Sequence, residues 1–209
     1  MNGPNRVDQV YYINLDHRLD RLDHIQGELA KTNISPEKIV RISAIYKPEF
    51  GALGCTLSHI VALEEFIQSG KNTCIVFEDD FEFIQEQSIV NTLFDEVFVE
   101  FPDFDVIMLA AYTQSESPMP SVTFVTKTMD ACTTAGYMVS KHFAPILLQN
   151  FRDSADLAEG VGYQTHDYCL DQYWKRLQPI TEWYTLSPRI GKQMETYSDI
   201  EKKIVQYWY

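Results

Sequence analysis

The sequence predicts an α/β fold, with a mostly parallel central sheet and helices on both faces. Three observations predict it. Short β-branched and aromatic runs alternate with amphipathic stretches through the first half of the chain. Those short runs are nearly all apolar, as strands covered on both faces are. The chain has 209 residues, 45% hydrophobic and 13% aromatic, which is enough for a core within one domain.

The elements follow in order. "VDQVYYINL" (Val7–Leu15) is a buried strand. The next stretch carries Leu19, Leu22, Ile25 and Leu29 at helical spacing, with Asp16 placed to cap it. Lys38–Ala44 is a second strand. Gly51–Gly70 is a helix with Leu57, Ile60, Val61, Phe66 and Ile67 on one side, stopped by Gly70. "NTCIVF" is a third strand, and a helix spans roughly Gln87–Phe101. "DVIMLAA" is another strand, "SESPMP" a loop, and "SVTFVT" and "ACTTAGYMVS" are strands. "KHFAPILLQNF" is a helix with Pro145 in its first turn. "HDYCLDQYWKRL" reads as helical, and "SDIEKKIVQYWY" reads as a closing helix. One domain over residues 1–209 is expected, with a first half to about residue 110 and a second half after it.

Charge limits the function. With 17 Lys and Arg against 30 Asp and Glu, the net charge is −13. Nucleic acid and anionic membrane both need a basic surface, so neither is an expected partner. The first ten residues hold no apolar segment of the signal-peptide kind, and no apolar run reaches spanning length. Cys55, Cys74, Cys132 and Cys169 form no CxxC pair and read as reduced thiols. A cytoplasmic location is the expectation. The aromatic end "VQYWY" suits either a packed tail or an interface in a homo-oligomer.

Chemistry centres on "TCIVFEDDFEF" (Thr73–Phe83). A buried-looking strand ends in Glu78, Asp79 and Asp80 without a polar spacer. Adjacent carboxylates repel, and an apolar wall raises the cost, so water, a basic partner or a cation must offset it. In a sheet of this kind ligands bind beyond the carboxyl ends of the strands, where these acids lie. Hard oxygens there suit Mg²⁺ or Mn²⁺. On spacing alone, an ordinary acidic turn explains them equally well.

Four stretches carry a family resemblance: "YYINLDHRLDR" (Tyr11–Arg21), "GALGCTLSH" (Gly51–His59), "CIVFEDDFEF" (Cys74–Phe83) and "TTAGYMVSK" (Thr133–Lys141). A fainter one is "PRIGKQMETYSDI" (Pro188–Ile200). In this order they resemble glycosyltransferase family 25, which includes lipooligosaccharide and collagen hydroxylysine galactosyltransferases. The resemblance implies a GT-A-like fold, a UDP-sugar donor of galactose or glucose, Mn²⁺ or Mg²⁺, and transfer with inversion. It implies a glycan or hydroxylysine-bearing protein as acceptor. The first half would bind the donor and the second half the acceptor.

It also implies roles for residues. Asp80 is expected as a direct metal ligand, and Asp79 and Glu78 as metal, ribose or sugar contacts. Asn14, Leu15 and Arg18 are expected at the donor. Arg18 and Arg21 could reach the diphosphate, or could pair with Asp20 or Asp23 at the surface. Gly51, Gly54 and Ser58 open a helix where a ligand can approach closely, and Ser58 is taken as a donor contact; a plain turn explains Gly51 as well. Inversion requires a base for the acceptor hydroxyl. Asp167 and Asp171 stand at i and i+4, with Asp167 the better match to the family and Asp171 the alternate. His59 is expected as a packed core histidine, and Gln193, Ser198 and Asp199 as residues that fold back over the donor. Two competing classes remain open on the residues: a metal-dependent nucleotide phosphohydrolase and a non-catalytic sugar-nucleotide-binding protein.

Overall fold

The computed structural model describes residues 2–163 and 165–205. Five α-helices and twelve strands are assigned among them. The strands are β1 (Gln9–Asn14), β2 (Ile39–Ser43), β3 (Thr73–Glu78), β4 (Phe81–Phe83), β5 (Val106–Met108), β6 (Tyr112–Met119), β7 (Val122–Cys132), β8 (Gly136–Ser140), β9 (Trp183–Leu186), β10 (Gly191–Gln193), β11 (Thr196–Ser198) and β12 (Lys203–Val205). The helices are α1 (Leu19–Ala30), α2 (Gly51–Ser69), α3 (Gln87–Glu100), α4 (Ala144–Val161) and the single turn α5 (Leu170–Tyr173).

Eight strands form one sheet in the order β2-β1-β3-β8-β5-β9-β7-β6. The α/β class and the helices on both faces are as expected, but the sheet is mixed. Strands β1–β2, β1–β3 and β5–β9 pair in parallel. The other four neighbouring pairs are antiparallel, because β7 and β8 run against the remaining six strands.

Alternation along each strand sorts the core. Tyr11, Ile13, Cys74, Val76, Tyr137 and Val139 point to one face, against Leu53, Leu63 and Phe66 of α2 and Leu147 and Phe151 of α4. Val10, Tyr12, Ile75, Phe77 and Met138 point to the other, against Ile25 and Leu29 of α1 and Val90, Phe94 and Val97 of α3. Each central strand is thus covered on both sides, which is why it reads as an unbroken apolar run.

Four local expectations fail for identifiable reasons. "SESPMP" lies in β6, which pairs with β7 alone at the sheet edge. An edge strand tolerates Pro118 and polar side chains, so its composition resembles a loop. The expected closing helix is instead the β11–β12 hairpin. Long-range bonds hold that segment: the Tyr197 carbonyl accepts from Arg21 at 3.0 Å, and Asp199 pairs with Arg18. Residues 206–209, with the aromatic end, lie outside the described residues. "HDYCLDQYWKRL" is a chain of short 3₁₀ and α turns rather than one helix. Asp16 does not cap α1; its carboxylate accepts from Arg41 at 2.7 Å and from Ser43 at 2.9 Å. Among the described residues, no helix is long and apolar enough to cross a membrane.

One close approach fixes the entry to α2. A methyl group at Gly54 would meet the Ile45 carbonyl oxygen at 2.6 Å, well inside contact distance. Ser58 clamps the same loop, accepting from the Ile45 amide at 2.8 Å and donating to the Gly54 carbonyl at 2.7 Å. Replacement Gly54→Ala must push backbone apart, and we expect a loss of about 1–3 kcal/mol. Urea denaturation reads this as a lower midpoint at unchanged slope; an unchanged midpoint would contradict the packing.

Candidate active site

The site grows from the end of β3. By alternation Glu78 shares the face of Cys74 and Val76, toward α2. It meets His59 there, with Nε2 of the imidazole 3.2 Å from Glu78 Oε1. Thr134, from the turn between β7 and β8, donates its hydroxyl to the same oxygen. Burial works to raise the Glu78 carboxyl, but the His59 and Thr134 contacts outweigh it and hold it below the usual range. His59 is fully buried, and its Nδ1 lies 3.1 Å from the Tyr137 hydroxyl.

The next two acids turn toward α1. Arg21 reaches from the first turns of that helix and places Nη1 2.9 Å from Asp79 Oδ1 and 3.1 Å from Asp80 Oδ2. Asn14, at the end of β1, donates to Asp79 Oδ2 at 2.8 Å. Its own Oδ1 accepts from Arg41 at 2.9 Å, so this buried amide is held from both ends. Gln193 of β10 donates to Asp80 Oδ2 at 2.9 Å, and the Met194 amide donates to the Asp80 carbonyl at 2.7 Å. Burial raises both carboxyls against the pull of Arg21, and Asp80 is pushed up to about 7.

Two cavities meet at these acids, sharing Cys55, Glu78, Gln193 and Ile200. The first is lined by Asn14, Leu15, Arg21, Ser58 and all three acids. Its volume is about 110 Å³, below the roughly 300 Å³ at which small-molecule sites begin. Ser198, Asp199 and Ile200 of the tail lie along it. The second has about 330 Å³, within that range, and is lined by Thr133, Thr134, His166 and Asp171.

The expected residues distribute as follows. Asn14, Leu15, Ser58, Glu78, Asp79 and Asp80 all line the first cavity. Ser58 is engaged in the loop clamp described above. Arg18 is tied to Asp20 at 2.9 Å and to Asp199, bracing the tail. Gln193, Ser198 and Asp199 do fold back over this cavity. Asp167 is exposed and lines neither cavity, whereas Asp171 faces the second cavity and accepts from the Thr133 amide at 3.0 Å. They do not share a helix face, because the segment breaks at Cys169 between a 3₁₀ turn and α5. Burial raises the Asp171 carboxyl, opposed by the Thr133 amide.

Three participants escaped the sequence reading. His59 is a core histidine as expected, yet it grips Glu78. Its spacing of four from Cys55 on α2, which puts both on one helix face, was the available signal. Thr134 lies inside a recognised stretch without a distinguishing feature. Thr133 takes φ +71°, rare for a β-branched residue, and turns the chain so that its amide meets Asp171 and its hydroxyl meets Gln193.

The Asp79–Asp80 pair fits a hard divalent cation. Both offer carboxylate oxygens, the donor type that Mg²⁺ and Mn²⁺ take. Asp80 Oδ1 is buried and accepts no hydrogen bond from the described residues, so one acceptor is open to a cation. The Arg21 guanidinium marks where positive charge is demanded.

Comparisons with known proteins agree with this architecture. Residues 47–159 match the family described as Glycosyltransferase family 25 (LPS biosynthesis protein). Procollagen galactosyltransferases 1-A and 1-B of Xenopus laevis are each 26% identical over 170 residues, spanning 68% of this chain. The matched part is 28% of the length of those relatives. Among solved structures, a glycosyltransferase involved in the glycosylation of the major capsid of PBCV-1 is similar at TM-score 0.54 and 9% identity, over 93% of this chain and 96% of that one. A197 from STIV is similar at TM-score 0.51 and 14% identity, over 96% of this chain and 95% of the other. These likenesses bear on the fold; the family match bears on descent. The chain belongs to glycosyltransferase family 25.

Proposed function

We propose that this chain transfers galactose or glucose from a UDP-sugar to a hydroxyl acceptor, with inversion and with Mn²⁺ or Mg²⁺. One observation carries the reading: Glu78 lines both cavities while Asp79 and Asp80 line the first, so a donor held at the aspartates and an acceptor in the second cavity can meet at Glu78. The first cavity, widened by displacement of the Ser198–Ile200 segment that lines it, takes the nucleotide-sugar, and the second takes the acceptor. Most of the first is built by residues before about 110 and most of the second by later ones, which supports the two functional halves. The names of the relatives favour galactose, and with it hydroxylysine or a lipopolysaccharide-type glycan as acceptor.

Asp80 and Asp79 would hold the cation, which when bound stabilises the charge that grows on the departing diphosphate. Arg21 already spans both aspartates and, with Arg18 nearby, supplies fixed positive charge on the donor side. Asn14 and Gln193 hold the two carboxylates in place. As the acceptor oxygen forms its bond to the sugar carbon and the bond to UDP breaks, the hydroxyl proton passes to Asp171. A half-buried carboxyl with a raised pKa is a better base than an exposed one, and the Thr133 amide fixes its orientation.

UDP release tests this, with a panel of UDP-sugars and with hydroxylysine peptide or galactose- or glucose-terminated glycan as acceptor. Release should need Mn²⁺ or Mg²⁺, rise with one acceptor, and vanish in Asp80→Ala. Asp171→Asn should cut turnover by about 10²–10⁴ while donor binding persists, and Asp167→Asn should match wild type. UDP binding without release would favour a binding protein, and acceptor-independent release of phosphate would favour a hydrolase. Loss of turnover in Asp167→Asn alone would overturn the base assignment.

Keeping these acids buried has a consequence for folding. The Asp80 carboxyl stands at about 7 in the folded chain against an ordinary 3.8. Between those values the folded state keeps a proton that the unfolded state has lost, so Asp80 makes stability fall as pH rises through that window. The urea midpoint should therefore drop between pH 5 and 7.5, and drop less in Asp80→Asn. Mn²⁺ should restore the wild-type midpoint at pH 7.5 by binding the native state. Parallel pH profiles for the two proteins would contradict the burial cost.

A further inference from the structure

A second kind of cation site lies beside the aspartate pair. Cys55 Sγ, His59 Nε2 and a Glu78 carboxylate oxygen all lie within 4.8 Å of one another. Cys55 and His59 are one turn apart on α2, a spacing that aims two ligands from one helix face. Glu78 comes from the end of β3. We propose that these three side chains form a binding site for a borderline-soft divalent cation of the Zn²⁺ type, separate from the hard-cation position at Asp79 and Asp80.

Ligand chemistry separates the two sites. The aspartates offer only hard oxygen, whereas the cluster offers sulfur, imidazole nitrogen and one oxygen, the donor mix that zinc takes. The distances suit it. Around tetrahedral zinc, a nitrogen and an oxygen ligand stand about 3.3 Å apart and a sulfur and an oxygen about 3.5 Å apart. Here His59 Nε2 and Glu78 Oε1 are 3.2 Å apart, and Cys55 Sγ and Glu78 Oε1 are 4.0 Å apart. A shift of the Cys55 side chain by about half an ångström brings its sulfur to the ligand distance from Glu78, and the same sulfur lies within 4.8 Å of the imidazole nitrogen.

The surroundings are those of a ligand set. In the metal-bound form a proton on His59 Nδ1 would donate to the Tyr137 oxygen, 3.1 Å away, and free the Nε2 lone pair for the metal. Thr134 holds the Glu78 oxygen from the other side. Cys55 and Glu78 line both cavities, which gives an entry path and leaves a fourth position for a ligand from the cavity. On binding, the Cys55 S–H bond breaks, sulfur bonds to the metal, and the proton leaves to solvent. Binding at this cluster stands independently of sugar transfer.

Metal titration of the full chain, stripped with chelator, tests this. Calorimetry should find Zn²⁺ bound at one equivalent per chain. Co²⁺ should produce thiolate-to-metal charge-transfer absorption that excess Zn²⁺ removes and excess Mg²⁺ does not. Cys55→Ala and the near-isosteric Cys55→Ser should both abolish that absorption. Tyr137→Phe should keep it while weakening Zn²⁺ binding roughly 10–100-fold. Asp80→Asn should leave absorption and affinity as in wild type. No absorption at saturating Co²⁺, absorption that survives loss of Cys55, or Zn²⁺ binding lost through Asp80→Asn would each overturn the site.

Discussion

The burial of Asp79 and Asp80 at the end of β3, with Glu78 half-buried beside them, governs the rest of this structure. Glu78, Asp79 and Asp80 leave a strand whose preceding residues are wholly enclosed, so they emerge into a low-dielectric wall rather than into water. Each must find a partner, and the partners come from every quarter of the fold. Asn14 ends β1, Arg21 opens α1, His59 lies within α2, Thr134 precedes β8, and Gln193 ends β10. Segments far apart in sequence are drawn to one point because charge in that wall cannot be left alone.

The same demand orders the tail. Arg21 takes both aspartates and the Tyr197 carbonyl, while Arg18 takes Asp199. The β11–β12 hairpin is thus tied to the donor-side cavity through two arginines, of which Arg21 also contacts Asp79 and Asp80. A ligand carrying a diphosphate would compete for those same guanidinium groups, so tail position and occupancy of the cavity are coupled by charge. Between the two cavities Glu78 is the shared wall, and His59 with Tyr137 fixes it from inside the core.

Much of this was legible in the sequence, and what was not has physical causes. Runs such as "CIVF" announce strands because both faces are covered, and Gly70 announces a helix end because its φ of +70° is cheap only for glycine. The strand-end position of the acids was legible too, since it follows from one strand and one rule about sheets. Pairing direction was not: β8 runs against β3 and β5, and nothing in "GYMVS" encodes that. β6 was missed because none of its residues is buried, so it has no apolar face to display. The tail was misread because "SDIEKK" favours helix locally while Arg18 and Arg21, some 180 residues away in sequence, hold Asp199 and the Tyr197 carbonyl in the hairpin. Asp167 outranked Asp171 on pattern alone; a break at Cys169 separates them, and breaks of that kind depend on packing around Leu170 and Trp174.

The central claim is that Asp79 and Asp80 are kept together to hold a hard cation beside a diphosphate. Anomalous scattering from crystals grown with Mn²⁺ and UDP tests it most directly. One manganese peak is expected at the carboxylate oxygens of Asp79 and Asp80, with the diphosphate against it. A UDP-bound crystal with no manganese at that pair, or with manganese held by Glu78 and His59 instead, would contradict it.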